Sequence, residues 1–385
     1  MNFTTVCVHG SGTKYDTTGA VSVPIFQSAT FVHPGVGQST GFDYSRVQNP
    51  TREYLEQTLA KLEEGTDALA FSSGIAALTT LMELFSPGDH IVASHDLYGG
   101  SHRLFHHVSM KNGLSFDFVN TARIDEIDAC IRPETRAVFI ETPTNPTMQV
   151  TDIAAVARLC RKHQLLLMVD NTFLTPYVQR PLVLGADIVL HSGTKYLGGH
   201  NDTLAGFLVV GQRELAERLR FLSKTTGAGL SPFDSWLLIR GIKTLAVRMD
   251  RQQATAFLIA KWLKAQPEVQ KVYYPGLSDH PGLAISQKQT SGFGAMISFE
   301  TDSRKTAHRV LERVKVIQYA ESLGGVESLV TYPMLQTHAD IPEEEREQKG
   351  IGERLLRLSV GLEAAEDLIG DLAQALKGDG DNVSF

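Results

Sequence analysis

Short apolar runs separated by longer amphipathic stretches fill the middle of the chain. The runs are "ALAF" (68–71), "HIVAS" (90–94), "SFDFV" (115–119), "AVFIE" (137–141), "LLLMVD" (165–170), "DIVLH" (187–191) and "GFLVV" (206–210). Most are continuous rather than alternating, the pattern of strands covered on both faces. Between them, segments such as "DIAAVARLCRKHQ" (152–164) carry apolar residues at helical spacing. This alternation predicts βαβ units, and hence an α/β fold with a mostly parallel sheet sandwiched by helices.

Both ends of the chain depart from that pattern. "REYLEQTLAKLEEG" (52–65) predicts a helix that stops at Gly65. The residues before it are rich in Gly, Ser, Thr and Pro, with few periodic apolar positions. Residues 1–55 are therefore expected to form an arm with no core of its own, lying against another surface. From 234 to 266 the pattern is helical throughout; beyond it "GAMISFE" (294–300) predicts a strand and "SRKTAHRVLERV" (303–314) a helix. The expected division is an arm over 1–55, an α/β domain over 56–244 and a smaller α+β domain over 245–385. The polar tail "KGDGDNVSF" is expected to fray.

Composition narrows the function. The formal net charge is −7 and no run of Lys/Arg appears, which disfavours a nucleic-acid partner. No apolar run is long enough to span a bilayer, and the first residues lack the apolar core of a signal peptide. Cys7, Cys130 and Cys160 form neither a CxxC pair nor a metal-ligand cluster and suit a reducing compartment. A cytoplasmic protein is the expectation. "HH" (106–107) has no companion ligands, so no metal site is expected.

Candidate chemistry gathers at the carboxyl ends of the predicted strands, the rim where open α/β sheets bind ligands. The pentapeptide "SGTKY" occurs twice, at 11–15 and 192–196. Only the second follows a strand. That places Lys195 at the rim with Ser192 and Thr194 beside it, whereas Lys14 falls in the polar arm. A desolvated lysine there is a nucleophile toward carbonyls. Asp170 ends a very apolar strand, where a carboxylate needs a cation such as a protonated pyridine nitrogen. Ser73, Gly74 and Ile75 form a strand–helix turn whose amides suit a phosphate. Tyr98, beyond "HIVAS", can stack on a planar ring, and Asn145 in "ETPTNP" can clamp a polar group. Each group alone is ordinary. Together they describe a pyridoxal 5'-phosphate site.

"YSRVQNPTR" (44–52), "SSGIAAL" (72–78), "LYGGSHRLF" (97–105), "ETPTNP" (141–146), "VDNTF" (169–173), "HSGTKYLGGHND" (191–202), "AESLGGVESL" (320–329) and "RLSVGLE" (357–363) resemble the cysteine/methionine-metabolism family of pyridoxal phosphate enzymes. The resemblance implies the aspartate-aminotransferase-like fold and a homotetramer built from tight dimers. It implies Lys195 as Schiff-base lysine and proton shuttle, and Asp170 as partner of the pyridine nitrogen. Ser73, Gly74, Ile75, Ser192 and Thr194 would hold the phosphate. Tyr44 and Arg46 would reach the phosphate of the neighbouring subunit, and Tyr98 would stack on the ring and assist proton transfer. Asn145 would steady the cofactor's phenolic oxygen or the substrate carboxylate, and Arg357 would clamp that carboxylate, with Ser322, Glu321, Asp43 and Arg103 also on the substrate side.

Within the family, Gly100 stands where methionine γ-lyases usually carry Cys. Glu321 and Asp43 look like the γ-synthase and γ-lyase branches. "GQSTGFDY" (37–44), "SPFDSWLLIRG" (231–241) and "TYPMLQTHADIPEE" (331–344) look most like bacterial enzymes that join an O-acylhomoserine to cysteine, giving cystathionine. The alternatives are a γ-lyase that cleaves cystathionine and a non-catalytic cofactor-binding homologue. Two departures stand out: Gly193, where Ala is frequent and a looser loop would follow, and Val47–Gln48 at the entrance.

Overall fold

The computed structural model describes residues 1–378 and contains two sheets. Residues 379–385 of the expected frayed tail lie outside the described residues. The larger sheet has seven strands: β1 (Asp67–Phe71), β2 (His90–Ser94), β3 (Ser115–Val119), β4 (Thr135–Glu141), β5 (Leu166–Asp170), β6 (Ile188–Ser192) and β7 (Gly206–Val210). Their order is β1-β7-β6-β5-β4-β2-β3. All pairings among β2 to β6 and β3 are parallel, while β7 runs antiparallel to both β6 and β1.

Burial explains the continuous apolar runs. Val138, Phe139, Ile140, Leu167, Met168, Val169, Ile188 and Val189 are fully buried, with helices on both sheet faces. Each such large side chain contributes about 1.5–3 kcal/mol relative to exposure. The helix expected over 152–164 spans Ile153–His163, with the Asp152 side chain accepting from the Ala155 amide at its start.

A second, five-stranded sheet follows: β8 (Val269–Tyr273), β9 (Met296–Thr301), β10 (Gln318–Tyr319), β11 (Leu329–Thr331) and β12 (Leu355–Ser359), in the order β10-β11-β12-β9-β8. One apolar cluster joins it to the large sheet, running from Phe207 and Val209 through Tyr196 to Ile297 and Leu358. The strands of one sheet thus hold the loops of the other in fixed register. No helix among the described residues is long and apolar enough to cross a membrane.

The amino-terminal segment corrects one expectation. Residues 3–9 form a helix, α1, capped by Asn2 and burying Val6 and Cys7 in the main core. The next helix, α2 (Pro50–Glu63), ends one residue before the expected stop, with Glu64 in the left-handed conformation. Between the two, the arm is open: Val21, Val32 and Val36 are almost wholly exposed.

Candidate active site

A cavity of about 190 Å³ lies at the carboxyl ends of the parallel strands, roofed by the 321–323 loop and Thr337. Helix α3 (Gly74–Met82) begins at its edge. The Ser73 side chain caps that helix by accepting from the Ala76 amide at 3.0 Å, leaving the free amides of the first turn at the cavity. Ser192 and Thr194 face the same corner. Thr194 is fixed by its hydroxyl, which donates to the Ala205 carbonyl and accepts from the Ala205 amide.

Lys195 follows β6 directly and its Nζ donates to Ser322 Oγ at 2.9 Å. Burial, and next the Arg357 guanidinium, bring its ammonium down to about 8, while Glu321 opposes the shift. Ser322 has φ 96°, a strained backbone for a residue with a side chain, and this turn delivers its hydroxyl to the amine. Lys14, in the first copy of the pentapeptide, is exposed and lies outside the cavity.

Arg357 sits in β12, fully buried. Nη1 donates to Asn145 Oδ1 at 2.9 Å, and Nη2 donates to the Ser322 carbonyl at 3.0 Å and to Thr331 Oγ1 at 3.2 Å. Its Nε has no partner, and burial lowers its pKa to about 10. At the opposite end of the cavity, Asp170 Oδ1 accepts from the Thr172 amide and hydroxyl at 2.9 and 2.6 Å. Burial nevertheless raises its carboxyl. Among the described residues, the Asp170 carboxylate meets no Lys or Arg in an ion pair, and the buried Arg357 Nε has no hydrogen-bond partner. A phosphorylated pyridine ring with an amino-acid substrate supplies both kinds of charge, so the donor set fits pyridoxal phosphate.

The cavity brings together Ser73, Gly74, Ile75, Tyr98, Asn145, Asp170, Ser192, Thr194, Lys195, Glu321, Ser322 and Arg357. Four expected residues are elsewhere. Arg103 is a correction: it lies on the exposed side of the 99–104 helix, ion-paired with Asp340, and does not line the cavity. Asp43, Tyr44 and Arg46 lie on the open arm. There Arg46 donates to the Lys224 carbonyl and stacks over Tyr44, and Asp43 accepts from Ser39. Glu141, Pro143, Thr172, Phe173, Leu204 and Thr337 also line the cavity and were not anticipated. Glu141 and Pro143 belong to "ETPTNP", Thr172 and Phe173 to "VDNTF" and Thr337 to the 331–344 motif, so the motifs pointed at their positions without a role.

Gly193 also differs from expectation. It is buried, and a Cβ there would run into the Phe207 ring and come within 2.9 Å of Ala205 Cβ. The loop is closely packed rather than loosened. Gly193→Ala is expected to lower stability by about 1–3 kcal/mol through overpacking. Phe207→Leu in the same chain should recover part of the loss, as read by denaturant titration of the two variants.

Lys195, Asp170 and the amides at the start of α3, gathered on this α/β scaffold, fit a fold type I pyridoxal phosphate enzyme. The family model described as Cys/Met metabolism PLP-dependent enzyme matches residues 4–377, and the chain belongs to that family. It is 50% identical over 377 residues to a cystathionine gamma-lyase of Bacillus subtilis, covering 98% of this chain and 100% of the relative. Identity to a cystathionine gamma-synthase of Haemophilus influenzae is 51% over 360 residues, 93% of each chain. A crystal structure of cystathionine gamma-lyase from Lactobacillus plantarum complexed with L-serine superposes with TM-score 0.95 at 47% identity, covering 97% of this chain and 98% of that one.

Proposed function

We propose that the protein catalyses γ-replacement, joining an O-acylhomoserine to cysteine to form cystathionine and a free carboxylic acid. Lyases and synthases share the likeness almost equally, so the choice rests on the site. The observation that carries it is the Lys195 amine, held by Ser322 between the Arg357–Asn145 clamp and Glu321 at the rim. In this reading one base serves successive carbons of a short amino-acid chain, with Glu321 assigned to the side where the γ-substituent enters. Gly100 argues only against a methionine γ-lyase, in which Cys usually stands at that position. A side chain there would press on the Tyr98 ring and on Ile75 Cδ1, at 3.1 Å. The sequence motifs of the arm and of the 331–344 segment favour the synthase.

Pyridoxal phosphate supplies the electron sink for charge developing at the substrate α-carbon. In this reading Arg357 binds the substrate carboxylate in two-pronged fashion, a geometry lysine does not offer. Lys195 Nζ takes the α-proton and then a β-proton, with Tyr98 assisting. The ester oxygen leaves Cγ with its acyl group, the cysteine thiolate bonds to Cγ, and Lys195 returns protons to carbon. Without thiol, Lys195 returns a proton to Cγ instead, and the unsaturated amino acid that is released is hydrolysed to 2-oxobutanoate and ammonia. Asp170 keeps a negative charge opposite the ring nitrogen; Ser73, Gly74, Ile75, Ser192 and Thr194 hold the phosphate. Tyr44 and Arg46 of the open arm reach the phosphate of a neighbouring subunit in a homotetramer, a role suited to their exposure in the single chain. Asp43, on the same open arm, belongs to the substrate entrance. Three free cysteines suit a cytoplasmic enzyme.

Incubation with O-acetyl- or O-succinylhomoserine plus cysteine is expected to form cystathionine at least about tenfold faster than cystathionine alone is cleaved. Faster cleavage would replace the synthase by a γ-lyase.

A further inference from the structure

Glu141 is a buried carboxylate that lines the cavity; among the described residues it makes no direct ion pair, and the cation it acts on is the Arg357 guanidinium. It ends β4, directly in register with Asp170 on β5, so two carboxylates stand side by side on the cavity floor. Such a pair does not carry two charges cheaply in a buried setting. Burial, then Asp170, push the Glu141 carboxyl well above the usual carboxylate range.

Its contacts join two loops that carry cavity groups. Glu141 Oε2 accepts from the Tyr98 amide at 2.9 Å, and the Asn145 amide also points at the carboxylate. Its own amide donates to Ser94 Oγ at the end of β2, the strand that leads into the Tyr98 loop. Asn145 in turn accepts from Arg357. One side chain thus lies between the aromatic face on one loop and the carboxylate clamp on the next.

We propose that Glu141 is a positioning residue, whose carboxyl fixes the Tyr98 loop and the Asn145 turn as one unit around the cofactor ring. It acts as an acceptor for backbone amides rather than as a charge, which leaves Asp170 the sole anion toward the ring nitrogen. The inference rests on the proposed roles of Tyr98 and Asn145.

The test compares Glu141→Ala, Glu141→Gln, Tyr98→Ala and the double variant Glu141→Ala/Tyr98→Ala. Readouts are the pyridoxal phosphate dissociation constant, the induced circular dichroism of the bound cofactor, and the thermal midpoint of the cofactor-free protein. Glu141→Ala is expected to weaken cofactor binding about tenfold and reduce the induced signal. Glu141→Gln, which keeps a neutral acceptor oxygen, should recover both to within about threefold. The loss from Glu141→Ala should shrink when Tyr98 is already alanine. Three results overturn the inference: fully additive losses, a glutamine variant as impaired as the alanine one, or a fall in the thermal midpoint with binding and induced signal intact. If Tyr98→Ala itself leaves cofactor binding unchanged, the assigned role of Tyr98 falls and the inference with it.

Discussion

Lys195→Ala is expected to abolish the yellow colour of the cofactor-loaded protein and to reduce kcat/KM by at least about 10⁴-fold. General acid–base help alone is worth about 10²–10⁴-fold, and the covalent attachment disappears as well. The structure makes the residue special through its surroundings. With a pKa of about 8, about a tenth of the amine is neutral at pH 7, against roughly three in ten thousand for an ordinary lysine. Colour formation on adding pyridoxal phosphate to the cofactor-free protein should therefore accelerate with pH, pass half its limiting rate near the pKa of about 8 and level off about one to two units higher. The sign follows from the cause: burial and the Arg357 cation disfavour the ammonium, so the nucleophilic form appears at lower pH. Lys14→Ala, in the identical pentapeptide on the exposed arm, should change neither colour nor rate. A Lys195→Ala protein with full turnover would remove the basis of the proposed mechanism.

How much of this was legible depends on where the physics leaves a one-dimensional trace. Most strands of the large sheet were readable because both faces are buried, so nearly every position is apolar, and β2 and β7 coincide with their runs; β3, at the sheet edge and only partly buried, also coincides with its run. Lys195 and Asp170 were readable because each follows such a run. The second sheet left less trace: β10 and β11 are only two and three residues long, and β8 is half exposed. Arg357 contradicts hydropathy outright, a cation buried in a strand, and only the family motif pointed to it. Helix α1 was missed because "FTTVCVH" is mostly β-branched, with low helix propensity. Packing of Val6 and Cys7 on the core overrides that preference. Glu141 was missed for a related reason: a glutamate at a strand end reads as solvated until its neighbours are known. Gly193 shows the same lesson from the packing side, since its constraint comes from Phe207, fourteen residues away in sequence.

Arg357→Leu is the second large effect, and it should appear in two separate measurements. Under the proposed clamp, losing a buried, hydrogen-bonded charge partner costs about 2–5 kcal/mol, roughly 30- to 5,000-fold in kcat/KM. Much of this should fall on KM, because the carboxylate is held in both the bound substrate and the transition state. Arg357→Lys should recover less than about tenfold, since an ammonium cannot reproduce the two-pronged contact or the bonds to Asn145, Ser322 and Thr331. The second measurement is the pH dependence of colour formation. Removing the cation lifts one of the forces holding the Lys195 ammonium down, so the profile should move to higher pH. Glu321→Gln should move it the other way, because Glu321 favours the ammonium. An Arg357→Leu variant with unchanged KM would break the carboxylate assignment. An unchanged profile would break the electrostatic link between the clamp and the base, even if the clamp itself stood.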